Sequence, residues 1–197
     1  EAAGIPIEHV DLGGGVGIDY EGDTPLQADS LWHGLLQVID RRGHGHRRIL
    51  IEPGRSIVGN AGICLAEVLY LKHGQARNFC IIDAAMNDLM RPALYSAWHD
   101  IQPVTPGPGK KSRYDVVGPV CETGDYLALD REISEPSPGD LLAIMSAGAY
   151  GAVQAGTYNS RLLVPEVIVN GKLSSVVRAR PSYDELIGLD TIPAWLA

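Results

Sequence analysis

No apolar run in the chain approaches the roughly 20 residues of a membrane-spanning helix, and the N-terminal stretch lacks the basic, apolar and small-residue blocks of a secretory signal. Long basic runs are missing as well. Nothing exceeds the pairs Arg41-Arg42, Arg47-Arg48 and Lys110-Lys111, and 16 basic against 24 acidic residues leave a net charge of −8. A footprint for the phosphate backbone needs the opposite balance, so neither nucleic acid nor a membrane is expected as a partner. Cysteine is scarce: Cys64, Cys80 and Cys121 are an odd number without CxxC spacing, which disfavours both a disulfide framework and a structural zinc site. The six histidines, His99 and the pair His44 and His46 among them, show no HExxH or comparable pattern, so no metal is expected. A soluble, cytoplasmic protein without repeats or low-complexity tracts is the expectation.

What is present suits a packed core. The 197 residues are 45% apolar and 20% charged, enough for one large domain or two small ones. The chain begins at Glu1 without methionine and reaches a strand pattern at His9–Leu12, so it reads as part of a longer polypeptide. That strand ends in Gly13-Gly14-Gly15. Thr24 as N-cap and Pro25 as first helical residue then open a helix whose apolar positions are Leu31, Leu35, Val38 and Ile39 and which gives out at Gly43. Residues 48–51 form a second strand, so residues 9–51 read as a βαβ unit with parallel strands. Beyond about residue 60 the period is that of strands: 63–70, 79–83, 116–120, 126–129 and 141–145 read as an antiparallel sheet or barrel, with a polar Pro/Gly loop at 105–112. Asn170-Gly171, between Val167–Val169 and Leu173–Val177, predicts a two-residue type I′ hairpin.

Five segments carry residues with chemistry to offer. Gly13, Gly14 and Gly15 after a strand let backbone N–H groups approach a ligand such as a phosphate, and a plain tight turn is the alternative. Glu52, Pro53, Gly54 and Arg55 end a parallel strand, where α/β folds place ligands; a surface ion pair is the other reading. Arg91 and Tyr95 are four residues apart and able to face one ligand, with Arg91 suited to a carboxylate through its bidentate fork. Cys121 and Glu122 put a thiol beside a carboxylate in a turn between strands, positioned for proton transfer if it faces a cleft, although a lone cysteine is ordinarily a small buried hydrophobe. Tyr150, in Gly148-Ala149-Tyr150-Gly151, reads first as a buried tyrosine with a satisfied hydroxyl, where a strand gives way to a short helical stretch.

Taken together and in this order, these motifs resemble the diaminopimelate decarboxylases, pyridoxal-phosphate enzymes of the alanine-racemase-like, fold-type III class, over essentially the whole chain. The glycine triplet and EPGR belong to the wider class, which includes the eukaryotic-type ornithine decarboxylases. MNDLMRPALY at 86–95 and CETGDYLALDREI at 121–133 match the diaminopimelate branch, with Thr123 where serine is commoner. The resemblance implies an α/β part followed by an all-β part: residues 1–58 as the last βα units of a (β/α)8 barrel, and 59–197 as a C-terminal antiparallel β-sandwich or barrel domain, with 148–160 packing back on the barrel.

It also implies roles. Gly13, Gly14 and Gly15, with Pro53, Gly54 and Arg55, would hold the phosphate of pyridoxal 5′-phosphate, and Glu52 would pair with its pyridine nitrogen. Arg55, Arg91 and Tyr95 would receive the amino-acid substrate, Glu122 its distal ammonium group, and Tyr150 both cofactor and substrate. Cys121 would protonate the carbon after loss of carbon dioxide, reaching the site from the second subunit of a homodimer. The lysine that anchors the cofactor in this family belongs to an early barrel strand, and Lys72, Lys110, Lys111 and Lys172 match no such motif. Activity of this chain alone is therefore not expected. A same-fold decarboxylase of another basic amino acid is the neighbouring reading. A non-catalytic pairing or regulatory module is the more distant one, and the intact Cys121, Glu122 and Tyr150 argue against it.

Overall fold

The computed structural model describes residues 4, 6–22, 27–107 and 110–196. Strand β1 (His9–Asp11) pairs in parallel with β2 (Arg48–Leu50), His9 opposite Arg48, and helix α1 (Ala28–Arg41) makes the crossover between them. The expected βαβ unit is therefore present. Thr24 and Pro25 lie outside the described residues; the described helix starts at Ala28, with Gln27 in the cap position and no side-chain cap. It stops as the glycine predicts. Gly43 takes φ +78°, its N–H bonds the Asp40 carbonyl at 2.8 Å and His44 N–H bonds that of Ile39 at 3.0 Å, the pair of bonds that closes a Schellman motif. Leu31, Leu35 and Ile39 are half-buried, whereas Val38 is exposed.

After the short helix α2 (Gly54–Val58), six strands form one sheet in the order β5-β8-β3-β4-β6-β7. They are β3 (Cys64–His73), β4 (Asn78–Ile82), β5 (Ile101–Pro103), β6 (Lys111–Val117), β7 (Tyr126–Ser134) and β8 (Leu141–Ile144). Long β3 holds two partners: its first half pairs with β8 and its second with β4, with a register shift between Val68 and Tyr70 that bends it from one to the other. The sheet curls into a nearly closed barrel. At the seam, Arg131 on β7 donates from Nη1 to the carbonyl of His99, just before β5, at 2.6 Å, and its guanidinium lies 3.3 Å from the Trp98 ring centroid. Val68, Cys80, Ile82, Tyr114, Leu127 and Ile144 are among the side chains that fill the interior.

Four expectations change. The sheet is not wholly antiparallel, because β4 and β6 run parallel, Phe79 opposite Asp115, and helix α3 (Arg91–Tyr95) and β5 lie in the crossover between them. Strand β6 begins at Lys111 and ends at Val117, so Lys111 and Ser112 leave the Pro/Gly loop and residues 118–120 join the following turn; Pro108 and Gly109 lie outside the described residues. Residues 148–154 are turns, not the start of a helical stretch. The hairpin of β9 (Glu166–Asn170) and β10 (Leu173–Arg178) forms, but Asn170 pairs with Leu173, so its two loop residues are Gly171 and Lys172. Gly171 takes φ +61° and Lys172 has no positive φ, which is the type II′ pattern with glycine first rather than type I′. The chain continues to a short helix α4 (Tyr183–Ile187), opened by a capping box in which Ser182 Oγ accepts from Glu185 N–H at 3.1 Å and Glu185 Oε2 accepts from Ser182 N–H at 2.6 Å. No helix among the described residues is long and apolar enough to cross a membrane.

Candidate active site on the barrel rim

Bare backbone meets backbone where the two parallel strands end. Gly13 and Gly15 take φ +67° and +80°, and a Cβ on Gly14 would run into the Glu52 carbonyl. Only glycine lets residues 13–15 lie this close to 52–54, and Glu52 N–H bonds the Gly13 carbonyl at 2.8 Å. A Cβ built on Gly13, Gly15 or Gly54 would meet only open space, so this cradle faces outward and has room for a phosphate-bearing group. Glu52 stands exposed beside it. Among the described residues no ion pair joins Glu52 to Arg55. Instead the Arg55 guanidinium lies 5.6 Å from the centre of the Tyr150 ring. Tyr150 is 43% exposed and holds a left-handed φ of +60°, so the buried-tyrosine reading is overturned. Gly148 N–H bonds the Gly59 carbonyl at 3.0 Å and Ala147 N–H that of Gly62 at 2.8 Å, which brings the loop after β8 to this place.

A second group is built by the loop from β4 to α3. Pro92 sits in the first turn of α3, where its missing N–H costs no helical bond, and Ser96 ends the helix at φ +51°. Arg91 is only 7% exposed, its Cζ 5.0 Å from the centre of the Tyr20 ring and its Nη1 2.9 Å from His99 Nε2. Tyr95, one turn on, is 61% exposed. Asp88 holds the loop from inside, accepting from Ala85 N–H at 2.8 Å and from Arg161 at 3.1 Å.

The third group is the turn between β6 and β7. Cys121 is exposed, whereas burial pushes the thiols of Cys64 and Cys80 up to about 12 and keeps them as inert packing. Glu122 Oε1 accepts from Gly124 N–H at 3.2 Å and Oε2 from the Tyr158 hydroxyl at 3.1 Å. These donors, the backbone one first, hold the Glu122 carboxyl below the usual carboxylate range, and the Tyr158 phenol is raised in return. Buried Asp125 ties the turn to the second group, accepting from Val120 N–H at 2.6 Å and from Met86 N–H at 2.7 Å. Asn87 completes the frame by donating to the carbonyls of Gly156 at 3.0 Å and Tyr158 at 2.7 Å.

The expected residues thus fall into three groups: the glycines with Glu52, Arg55 and Tyr150; Arg91 with Tyr95; and Cys121 with Glu122. No hydrogen bond, ion pair or ring contact among the described residues joins the third group to the first. Sequence reasoning missed Asp125, Tyr158, Asn87, Tyr20 and the bond of His99 to Arg91. Asp125 lies inside the 121–133 motif, but its partners are backbone amides, which carry no residue signature.

A βαβ unit followed by a small, nearly closed β-barrel thus carries the three groups on its connecting segments. The family model described as "Pyridoxal-dependent decarboxylase, C-terminal sheet domain" matches residues 19–148, and the chain belongs to that family. A diaminopimelate decarboxylase of Pseudomonas aeruginosa is 50% identical over 93% of this chain and 43% of its own length, and that of Zymomonas mobilis is 47% identical over 100% and 46%. The crystal structure of the Helicobacter pylori diaminopimelate decarboxylase complexed with L-lysine superposes with a TM-score of 0.86 at 39% identity, over 95% of this chain and 46% of that one. The chain spans less than half the length of the relatives it matches.

Proposed function

We propose that this chain is the C-terminal part of a pyridoxal-phosphate-dependent diaminopimelate decarboxylase, which converts meso-diaminopimelate to L-lysine and carbon dioxide in the cytoplasm. Residues 1–58 would complete a (β/α)8 barrel and 59–197 form the sheet domain, with 148–160 packing back on the barrel. The observation that carries this reading is Asp125, whose carboxylate joins the Arg91 loop and the Cys121-Glu122 turn into one frame. A cation and an anion on one rigid frame suit a substrate with carboxylate and ammonium groups at both ends. Identity of 50% to a diaminopimelate decarboxylase supports this substrate over other basic amino acids.

Pyridoxal phosphate, when bound, supplies the electron sink that accepts the electron pair left behind by departing carbon dioxide. The residues of this chain do the rest. Gly13, Gly14, Gly15, Pro53, Gly54 and Arg55 would form the phosphate cradle, and Glu52 would keep the ring nitrogen protonated. Within the cradle Gly13 N–H is taken by Asp11 Oδ1 at 2.7 Å and Gly54 N–H by the Glu52 carbonyl at 2.9 Å, leaving the amides of Gly14, Gly15 and Arg55 for the phosphate. Arg55 and Tyr150, whose guanidinium and ring already lie 5.6 Å apart, would border both cofactor and substrate. Arg91 and Tyr95 grip a substrate carboxylate, and Glu122 pairs with the distal ammonium. Cys121 Sγ delivers the proton to the substrate carbon and takes one back from solvent, acting across the interface of a homodimer.

The test uses the full-length polypeptide that carries these residues, loaded with pyridoxal phosphate and assayed for lysine and carbon dioxide. Glu52→Ala is expected to lower kcat more than it raises KM, whereas Glu122→Gln raises KM. Absence of lysine formation by the unmodified enzyme would overturn the proposal.

A further inference from the structure

His99 is wholly buried at the entrance to β5 and has no task in the chemistry above. Both of its ring nitrogens are engaged: Nδ1 lies 2.8 Å from the Met145 carbonyl oxygen and Nε2 lies 2.9 Å from Arg91 Nη1. A carbonyl only accepts, so Nδ1 must carry the proton; a guanidinium only donates, so Nε2 must present its lone pair. Together the two partners select a neutral imidazole in a single tautomer. Burial first, then the charges of Arg91 and Arg131, push the ring below the usual histidine range, against the opposing pull of the Met145 bond.

The ring is itself firmly seated. Met145 follows β8 directly, and its N–H bonds the Asp100 carbonyl at 2.8 Å, so barrel pairing sets the distance between His99 and Met145. Tyr20 stands edge-on to His99, with centroids 5.5 Å apart at 81°, and offers its face to Arg91. The guanidinium is thereby fixed twice, through Nη1 by His99 and across its face by Tyr20. Its bond to His99 is the only hydrogen bond Arg91 makes through its side chain among the described residues, which leaves the rest of the fork for a carboxylate.

We propose that His99 is the positioning residue of Arg91: clamped to the Met145 carbonyl, its neutral ring sets the rotamer and plane in which Arg91 meets the substrate carboxylate. The proposal rests on the reading of Arg91 as a substrate-binding residue. A filler of core space could be replaced by any side chain of similar size. A positioning residue needs an acceptor facing Arg91.

Two measurements test it. In protein labelled with 15N-histidine, the His99 ring is expected to be neutral and protonated on Nδ1 at pH 7; an Nε2–H tautomer or a charged ring would overturn the proposal. In the full-length holoenzyme, His99→Leu is expected to raise the KM for meso-diaminopimelate about 10-fold or more with kcat changed less than about threefold. His99→Gln, whose amide oxygen can face Arg91, should recover most of that loss. Arg91→Ala is the control. If it leaves KM unchanged, the site reading falls and the proposal with it. If it raises KM while His99→Leu does not, or if Leu and Gln lose equally, the proposal falls alone. Should His99→Leu not fold, His99→Gln against the shorter His99→Asn asks the same question, with equal KM values refuting the role.

Discussion

Replacing Asp125 by alanine removes one buried carboxylate and strands two backbone donors, Met86 N–H at 2.7 Å and Val120 N–H at 2.6 Å. A hydrogen bond to a charged group is worth about 1.5–3 kcal/mol, so the loss is about 3–5 kcal/mol after allowing for some re-solvation of the freed amides. For a chain of this size each kcal/mol moves the melting temperature by about 2–4 °C, which gives a fall of roughly 6–20 °C. Asp125→Asn keeps one acceptor and turns an amide N–H₂ toward the other donor, and should cost about half as much. The assay is urea unfolding, where the midpoint should fall at constant slope, combined with amide hydrogen exchange at Met86 and Val120. Faster exchange is expected in both loops at once, since this carboxylate bonds an amide in each directly and Gly118 packs on it, whereas the path from Asn87 through Tyr158 to Glu122 joins them only indirectly. A loss below about 1 kcal/mol, or faster exchange in one loop only, would refute the idea that Asp125 holds the two together.

Two other substitutions separate the remaining arguments. Gly14→Ala drives a Cβ into the Glu52 carbonyl and should cost about 1–3 kcal/mol, seen as loss of protection of Glu52 N–H, whereas Gly13→Ala meets only its positive φ and should cost about 1 kcal/mol; equal effects would remove the close-approach argument. His99 sets the acid side of stability. In the unfolded chain it takes up a proton below about pH 6.5 while the folded ring resists, so the unfolded state binds more protons and stability falls as pH drops below that value, by up to about 1.4 kcal/mol per unit, and is flat above it. Urea midpoints at pH 7.5 and 5.5 should therefore converge in His99→Gln, and an unchanged gap would contradict the buried neutral ring.

The parts that sequence displays are those where pattern and backbone chemistry coincide. The βαβ unit was readable because the two strand ends, the α1 stripe and Gly43 each carry their own signal. The hairpin was readable but slipped by one residue, since Asn170-Gly171 and Gly171-Lys172 both place a glycine where a positive φ is wanted, and only pairing of Asn170 with Leu173 decides between them. Strand β6 hid its start because Lys111, Ser112 and Arg113 are polar and not deeply buried, and burial begins at Tyr114. The direction of β6 relative to β4 has no sequence signal at all. Helix α4 is the opposite case, since its Ser182 to Glu185 capping box is written in the chain and passes unnoticed beside the strands. At the site, Arg91 and Tyr95 were legible only as two residues four apart, and the structure places them one turn apart on α3. The His99 bond depends on contact between segments that a linear pattern does not bring together, and its histidine shows nothing unusual in isolation.

The parallel pairing of β4 with β6 has a kinetic consequence. Parallel neighbours cannot be joined by a tight turn, so everything between Ile82 and Lys111 must be laid across the barrel before Phe79 finds Asp115. Arg91, Tyr95 and His99 all ride on that span. Their final arrangement therefore waits on a non-local pairing, nearer in sequence than β5–β8 or β3–β8 but far beyond a hairpin, the kind whose closure entropy is met before any contact repays it. During refolding, secondary structure in the local β3–β4 and β6–β7 hairpins should be in place while the arginine still wanders, and the binding proposed for Arg91 would be a late arrival.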